Sequence, residues 1–302
     1  MIDKFEMLIA LAREKHFGRA AEACHVTQPT LSSAIRSLED LYGVPLVHRG
    51  GRFQGLTVEG EQVLIRARLI VAEARAIRSD LQGMKAGVSG TLRLGVIPTA
   101  LAAVGQLTAS FGCRHPGARF TVRSMSAQDI VDGLADLRID AGLSYRGDDP
   151  GRGNATDFMP LWHEAHAVLV ADRTGPSVMR WQDLGMMRLC LLTRDMQHRR
   201  GLDAQLAARG LDLLPVLEAS SILALVAHVR SDPGSATILP AHLAEFFAGH
   251  DGLRCLALQD DGMPVLPPEV GLILPPEGRR SLLLEAFVRD MTVGAGGPPN
   301  WR

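Results

Sequence analysis

The segment 20–38 is the sequence feature that most restricts the fold of this chain. Small Ala21 allows two helices to cross closely, and Val26 supplies an apolar plug for the turn between them. Thr27 can cap the second helix, and Pro29 is tolerated in its first turn, where backbone N–H groups have no helical partner. Apolar side chains spaced at i, i+4 and i+7 then face a core, namely Leu31, Ile35 and Leu38. The segment therefore predicts a helix-turn-helix.

The opposite face of the second helix carries short hydrogen-bonding side chains and one arginine. Such groups suit the base edges and phosphates of a DNA major groove. The residues that we predict at a DNA interface from this segment are Thr27, Gln28, Pro29, Thr30, Ser32, Ser33 and Arg36. Any small three-helix module has a polar face, however, so this face alone does not decide between DNA binding and ordinary solvent exposure.

A basic hairpin is predicted directly after this helix. Residues 45–49 and 52–56 have the pattern of two strands, joined by a turn at Gly50-Gly51. Arg49 and Arg52 flank the tip of this wing, so we add them to the predicted DNA interface. Residues 1–58 are therefore predicted to form a winged helix-turn-helix.

The first helix is predicted from a cap and a periodicity. Asp3 and Glu6 have the spacing of an N-cap and an N3 residue, which predicts a helix start at about residue 4. Apolar residues then repeat at helical spacing as far as Ala12.

The ordered signature of residues 1–60 resembles the DNA-binding domain of LysR-type transcriptional regulators. The matching positions are Phe17, Ala20, Ala21, Val26, Thr27, Gln28, Pro29, Thr30, Leu31, Ser32, Ile35, Leu38, Glu39, Gly43, Val44, Pro45, Leu46, Arg49, Leu56, Thr57 and Gly60. Two positions depart from the family. Gly18 lies where Ser or Thr usually caps the short helix that precedes the turn, and Ser33 replaces a longer polar residue. The resemblance implies double-stranded promoter DNA as the partner, and it leaves contact with RNA polymerase open.

Residues 59–88 predict one long linker helix with a narrow apolar seam. Thr57 can cap this helix. Apolar residues recur after it with alternating gaps of four and three, which is a heptad pattern. The seam consists of Val63, Ala67, Ile70, Ala74, Ile77, Leu81 and Met84. A seam of this kind favours pairing with another helix, and the alternative is packing on the chain's own domain. The family resemblance implies a homodimer or a dimer of dimers formed through this helix.

Residues 89–302 have the alternation of strands and helices that is typical of an α/β fold. The predicted strands are 91–97, 119–124, 140–144, 166–171, 188–192, 214–218, 236–239, 253–258 and 270–274, and the predicted helices are 99–114, 127–138, 197–209, 221–230, 241–248 and 279–292. The order resembles the effector-binding domain of the same regulators, which is similar to periplasmic solute-binding proteins. That likeness implies two α/β lobes: lobe I at about 89–163 plus 267–293, and lobe II at about 164–266. The predicted fold class is thus α+β multidomain, with a winged helix-turn-helix, a linker helix and a two-lobed effector-binding domain.

Candidate ligand-binding residues lie where strands end and helices begin. Helix N-termini offer free N–H groups and the positive end of the helix dipole, which favours small anions. The predicted effector site comprises Pro98, Thr99, Ser126, Gln128, Arg194, Ser220 and Ser221. Ordinary N-capping explains most hydroxyl groups at such positions, so a small-molecule effector is implied mainly by the resemblance. Its identity is left open.

Motifs and composition disfavour other classes of protein. The four cysteines lie at least 60 residues apart, so neither a zinc site nor a redox pair is predicted, and no cofactor is expected. His163-Glu164-Ala165-His166 is one residue short of the zinc-protease pattern and lies in a probable strand, which disfavours a zinc protease. No catalytic residues are assigned. An effector-independent DNA-binding factor is the alternative, and an α/β enzyme is less favoured.

Charge does not identify the partner, because the net charge is −1 for the chain, and DNA-binding domains are usually more basic. No signal peptide or apolar run of about 18 residues is present, which predicts a cytoplasmic protein without a membrane segment. The missing signal also disfavours a solute-binding protein of a transporter.

Overall fold

A computed structural model describes residues 1–48, 53–147, 156–171, 174–248, 252–259, 262 and 268–292 of the chain. Four helices come first: α1 (Ile2–Glu14), α2 (Phe17–Ala23), α3 (Gln28–Tyr42) and α4 (Val58–Ala86). Apolar residues of α1–α3, of the wing base and of the first turns of α4 form one buried cluster, which we call the helix-turn-helix core. Its fully buried members include Leu8, Leu31 and Ala67.

Two predicted helix caps are confirmed. Thr27 Oγ1 accepts a long hydrogen bond of 3.4 Å from the N–H of Thr30 at the start of α3. Thr57 Oγ1 accepts one of 2.9 Å from the N–H of Gly60 at the start of α4. In both cases the hydroxyl satisfies a backbone donor that the helix itself cannot satisfy.

One other predicted cap is wrong, and the cap of α2 comes from a residue that was not predicted. Helix α1 begins at Ile2, so Asp3 lies in its first turn instead of capping it. Helix α2 is capped by His16, whose Nδ1 lies 3.1 Å from the N–H of Gly18 and 3.3 Å from that of Arg19. A hydroxyl at Gly18 is therefore unnecessary, because the histidine ring already accepts from the first turn.

The rest of the described chain forms two sheets covered by helices. The strands are β1 (Ser89–Val96), β2 (Gly117–Ser124), β3 (Ala141–Tyr145), β4 (Asp157–His163), β5 (His166–Val170), β6 (Val178–Met179), β7 (Arg188–Leu192), β8 (Leu217–Ala219), β9 (Ser235–Pro240), β10 (Arg254–Leu258) and β11 (Glu269–Leu274). The helices are α5 (Leu101–Arg114), α6 (Ala127–Ala135), α7 (Gln197–Ala208), α8 (Ile222–Ser231), α9 (Ala241–Phe247) and α10 (Leu282–Thr292).

Each sheet belongs to one lobe. The sheet of lobe I has the order β2-β1-β3-β11-β4, with β1 parallel to β2 and β3, and β11 antiparallel to β3 and β4. The sheet of lobe II has the order β6-β10-β5-β9-β7-β8. The chain passes from lobe I to lobe II after β4 and returns before β11, so two crossing segments join the lobes.

Strand β4 is absent from the predicted strands because Pro160 interrupts its pattern. A proline removes one ladder hydrogen bond and is tolerated at a sheet edge, and β4 is the edge strand of lobe I. Pro160 pairs with Gly271 beside an irregularity in the register. A side chain at Gly271 would collide with the carbonyl oxygen of Met159, so the close approach of the two strands requires glycine.

The predicted seam of the linker helix divides into two parts. Ala67 is fully buried in the helix-turn-helix core, so the prediction that it faces a second chain is wrong, whereas Val63 is half-buried beside that core. Ile70, Ile77 and Leu81 are 45%, 53% and 57% exposed, and Ala74 is half-buried. The side chain of Met84 lies outside the described residues.

None of the helices in the described ranges is long and apolar enough to cross a membrane.

Candidate DNA interface and effector site

Helix α3 presents most of the predicted DNA-binding residues to solvent. Its exposed members are Thr27, Gln28, Pro29, Thr30, Ser33 and Arg36, whereas Ser32 is half-buried. The hydroxyl oxygens of Thr27 and Thr30 lie 2.8 Å apart and share one hydrogen bond, so both are partly engaged in the cap. The polar groups best placed to meet DNA bases are therefore on Gln28, Ser33 and Arg36.

Helix α1 holds α3 from behind. Lys4 Nζ donates to Ser37 Oγ at 2.5 Å, a contact between residues 33 positions apart. This contact leaves the polar side chain of Ser37 half-buried and bonded within the domain. The sequence pattern of α3 could not identify Lys4 as the partner of Ser37, because Lys4 lies on another helix.

The base of the wing is fixed by Glu39, which is 8% exposed. Glu39 Oε1 accepts from the N–H of Leu46 at 2.8 Å and from that of Val47 at 3.3 Å. Val47 forms a bridge with Leu56, where two full strands were predicted. This carboxylate therefore connects α3 to the wing. Arg49 and Arg52, the predicted wing contacts, lie outside the described residues.

A buried polar cluster joins the two lobes. Thr99 is 1% exposed in a 3-10 turn before α5, and its Oγ1 lies 3.3 Å from the hydroxyl of Tyr145 at the end of β3. The Tyr145 hydroxyl donates to Glu164, which precedes β5. His198 Nδ1, from α7 in lobe II, lies 3.4 Å from Glu164 Oε1. Lobe I and lobe II thus share one hydrogen-bonded set of side chains, which we call the junction cluster.

A second bond crosses the lobes at the same place. His242 Nε2, from α9 in lobe II, lies 3.0 Å from the carbonyl oxygen of Thr99 in lobe I. Burial lowers the pKa of His242. Burial also lowers the pKa of His166 well below its ordinary value, and the charges of His198 and Arg209 add to that effect. The His166 ring is therefore neutral at pH 7, as desolvation penalises its charged form.

The junction cluster contains buried polar atoms that no described residue satisfies. Glu164 Oε2 and His166 Nε2 each lack a hydrogen-bond partner among the described residues. Burial, followed by the neighbouring Glu164 charge, raises the pKa of Tyr145, so its hydroxyl stays protonated and donates. Unsatisfied buried groups are rare in folded proteins, and an ordered water or ion is one explanation for such a group. Within the described ranges, no group of three or more His, Cys, Asp or Glu residues is arranged so that it could hold a metal ion.

Of the predicted effector residues, the structure buries Thr99 alone in this junction. Pro98, its neighbour, is half-buried. Ser126 is exposed and caps α6, accepting from the N–H of Asp129 at 3.1 Å. Ser220 and Ser221 are exposed at the start of α8, where Ser221 makes no side-chain cap.

Two further predicted effector residues bond locally. Gln128 is exposed and donates to Asp132 at 3.0 Å. The Arg194 side chain is 71% exposed, 3.8 Å from Asp203. Sequence reasoning missed Tyr145 and His242. It noticed His198 near a helix start but favoured a solvated position, whereas His198 is buried. The three residues come from three separate elements.

Two family models together match almost the whole chain. The model for the LysR substrate binding domain matches residues 85–292, and the model for bacterial regulatory helix-turn-helix proteins of the lysR family matches residues 2–61. The chain belongs to the LysR family. Its two sheets correspond to the first model and α1–α3 to the second.

Known relatives agree with this assignment. The DNA-binding transcriptional dual regulator OxyR of Escherichia coli strain K12 is 42% identical over 98 residues, which is 32% of this chain and 32% of that protein. This match therefore spans about a third of the length of the relative. The solved structure of a full-length OxyR variant from Pseudomonas aeruginosa has a TM-score of 0.71 at 23% identity and covers 100% of this chain and 98% of that one. CbnR in complex with its target DNA has a TM-score of 0.57 at 21% identity and covers 96% of this chain and 97% of that one.

Proposed function

We propose that this LysR-family protein is a sequence-specific transcriptional regulator that binds promoter DNA through α3. The observation that carries the proposal is the exposed face of α3, where Gln28, Ser33 and Arg36 meet solvent on a helix that α1 supports from behind. Hydrogen-bonding side chains on one exposed helix suit the donor and acceptor pattern of a major groove. CbnR, which shares the fold, has been solved bound to its target DNA.

Selection from a random DNA library with the full-length protein tests this proposal. We expect one enriched sequence with approximate two-fold symmetry, because a dimer would present two copies of α3. Binding should weaken steeply as the salt concentration rises, since phosphate contacts release counterions. Retention of random sequences without enrichment would contradict sequence-specific binding.

The dimer in this proposal uses the exposed part of the linker helix. Ile70, Ile77 and Leu81 lie on α4 at heptad spacing and are about half exposed in the single chain. Exposed apolar residues in such a row favour a second copy of the same helix. We include a homodimer, and assembly of two dimers, in the proposed function.

The proposed effector is a small molecule that binds at the junction cluster and touches Thr99. Groups of both lobes lie within hydrogen-bond distance of Thr99. Its Oγ1 is 3.3 Å from the hydroxyl of Tyr145 in lobe I, and its carbonyl oxygen is 3.0 Å from Nε2 of His242 in lobe II. A ligand there would favour one arrangement of the lobes in proportion to its differential affinity for the two arrangements. No catalytic activity is part of the proposal, in keeping with a family of regulators.

Thermal-shift measurements on the full-length chain test the effector site. Small organic acids and small amines form the two panels, because the exposed helix starts favour anions whereas Glu164 offers an unsatisfied acceptor. A true effector raises the melting temperature with concentration by mass action. Thr99→Val keeps the branched shape without the hydroxyl and should reduce that rise. An equal rise in wild type and variant would move the site to Ser126 or Ser220.

Oxidation of a thiol is a less suitable regulatory signal for this chain, although several relatives are hydrogen peroxide-inducible genes activators. Burial raises the pKa of Cys24 and of Cys190, and it raises that of Cys255 to about 11. The thiolate is the reactive form, so these three groups react slowly with peroxide at neutral pH. Cys113 is exposed, but it lies at the opposite end of α5 from Thr99 and the lobe junction. We therefore favour a bound small molecule over peroxide as the signal.

A further inference from the structure

The turn that follows α6 has an unusual backbone for its sequence. Leu137 has a φ of 57°, in the left-handed region, directly after the last turn of α6. The N–H of Arg138 bonds the carbonyl oxygen of Gly133 at 2.8 Å, which closes the helix end in the common manner. Glycine is the usual residue at such a position because it has no side chain to clash. Such strain persists only where the surrounding structure holds the residue in place.

That side chain contacts another domain. Leu137 belongs to lobe I by sequence, yet it is partly buried against the helix-turn-helix core formed by α1–α3 and the start of α4. An apolar side chain from the effector-binding domain thus extends the core of the DNA-binding domain. The strained backbone and the apolar contact are two separate observations at one residue.

Two arginines of the linker helix hold the same turn. Arg68 Nη2 donates to Asp136 Oδ1 at 2.6 Å. Arg75 Nη1 donates to the carbonyl oxygen of Leu137 at 2.7 Å, and its Nη2 donates to Glu6 Oε1 at 2.7 Å. One guanidinium therefore connects α1 of the DNA-binding domain, the linker helix and lobe I.

The turn is also fixed to the body of lobe I. Arg93 of β1 donates to the Leu137 carbonyl oxygen at 3.0 Å and to Asp140 Oδ1 at 2.6 Å. Ile130 of α6 is fully buried, and Gly142 of β3 is packed so closely that a side chain there would collide with it. Helix α6 and its turn therefore move with the sheet of lobe I as one unit.

We propose that residues 136–138 form a docking turn through which lobe I holds the helix-turn-helix of its own chain in one orientation. This inference rests on the proposed function. An effector at the lobe junction would shift lobe I, and the docking turn would pass that shift to α1 and α4. Helix α6 suits this role because it packs on the sheet of lobe I and its C-terminal end carries Asp136, which is bonded to Arg68 of the linker helix.

Hydrogen–deuterium exchange of the full-length protein, without ligand or DNA, tests the docking turn. Leu137→Gly relieves the backbone strain but removes the apolar contact, whereas Leu137→Ala removes the contact and keeps the strain. We expect amides of α1 to exchange about fivefold faster in both variants. Arg66→Ala, an exposed position on α4, is the matched control and should leave α1 unchanged. Unchanged exchange of α1 in both Leu137 variants would overturn the proposal.

A charge exchange tests the polar half of the contact. Arg68→Asp and Asp136→Arg should each accelerate exchange in α1, and the double variant should restore it by reversing the ion pair. Slow exchange in both single variants, or no restoration in the double variant, would contradict a role for this pair in docking.

The DNA sequence enriched by selection provides the functional readout. The Leu137 variants should still bind that sequence, because α3 is untouched, but should alter the extent of DNA bending measured by gel mobility of permuted fragments. A wild-type protein that shows no preference for any DNA sequence would contradict the proposed function. If the Leu137 variants bend the DNA to the same extent as the wild-type protein, the docking turn is contradicted and the proposed function is not.

Discussion

Replacing Glu39 by alanine should loosen the wing and weaken the DNA-binding domain. The Glu39 carboxylate is 8% exposed and accepts from two backbone N–H groups, those of Leu46 and Val47. Alanine leaves both donors without a partner in a buried place, and each such loss costs about 1–3 kcal/mol. We therefore expect a loss of about 3 kcal/mol in the free energy of unfolding of this domain, since the bond to Val47 is the longer and weaker of the two.

Glu39→Gln separates the hydrogen bonds from the charge. Its amide oxygen can still accept from the same two donors, so the expected loss is only about 1 kcal/mol, the difference between charged and neutral acceptors. Asp40→Ala, at the exposed neighbouring position, is the matched control and should change stability by less than about 0.5 kcal/mol.

Guanidinium denaturation followed by far-ultraviolet circular dichroism measures these differences, because α1–α3 contribute helix signal directly. A second readout is the salt dependence of DNA binding, which should flatten in Glu39→Ala if the displaced wing no longer reaches phosphates. Equal stability of Glu39→Ala and Asp40→Ala would refute the reasoning, as it would show that the two backbone donors find other partners at no cost.

Three further predictions concern the DNA interface, the dimer and the lobe junction. Gln28→Ala and Arg36→Ala should each weaken binding to the selected DNA by about 1–3 kcal/mol, measured by fluorescence anisotropy; unchanged affinity in both would remove α3 from the interface. Ile70→Asp combined with Ile77→Asp should dissociate the dimer in sedimentation experiments, because a carboxylate in an apolar seam is desolvated without a partner; an unchanged oligomer would exclude this face. Burial lowers the pKa of His166 in the folded chain. As the pH falls, the imidazole is therefore protonated in the unfolded chain before it is protonated in the folded chain. The free energy of unfolding should then decrease below about pH 6.5, by up to about 1.4 kcal/mol per pH unit for this group. Thermal melts from pH 7.5 to 5.5 check this, and a His166→Gln variant with the same pH dependence as wild type would contradict it.

Local sequence rules located most elements of the fold. Periodicity and caps correctly identified α3 and the starts at Thr27 and Thr57, because those signals depend on neighbours within one helical turn. They failed at α1, where Asp3 resembles a cap but lies inside the helix. They also failed at β4, where Pro160 suggests a loop and only its edge position makes a strand acceptable.

The candidate sites divide in the same way. The sequence by itself determined the exposed face of α3, because a helix of known start and period has only one polar side. It also determined that α4 carries a heptad seam, but it could not tell that Ala67 faces the chain's own core whereas Ile77 faces solvent. That difference depends on where α1 packs along α4.

Only the tertiary structure decided which distant residues share the lobe junction and the docking turn. Thr99, Tyr145, Glu164 and His242 come from different elements of both lobes, and nothing in their local sequence marks them as neighbours. The role of Leu137 is equally hidden, since its left-handed backbone and its contact with another domain are properties of the assembled chain. Caps and periodicities act over a few residues and can be recognised in the sequence, whereas burial and interdomain hydrogen bonds depend on distances that exist only after the chain has folded.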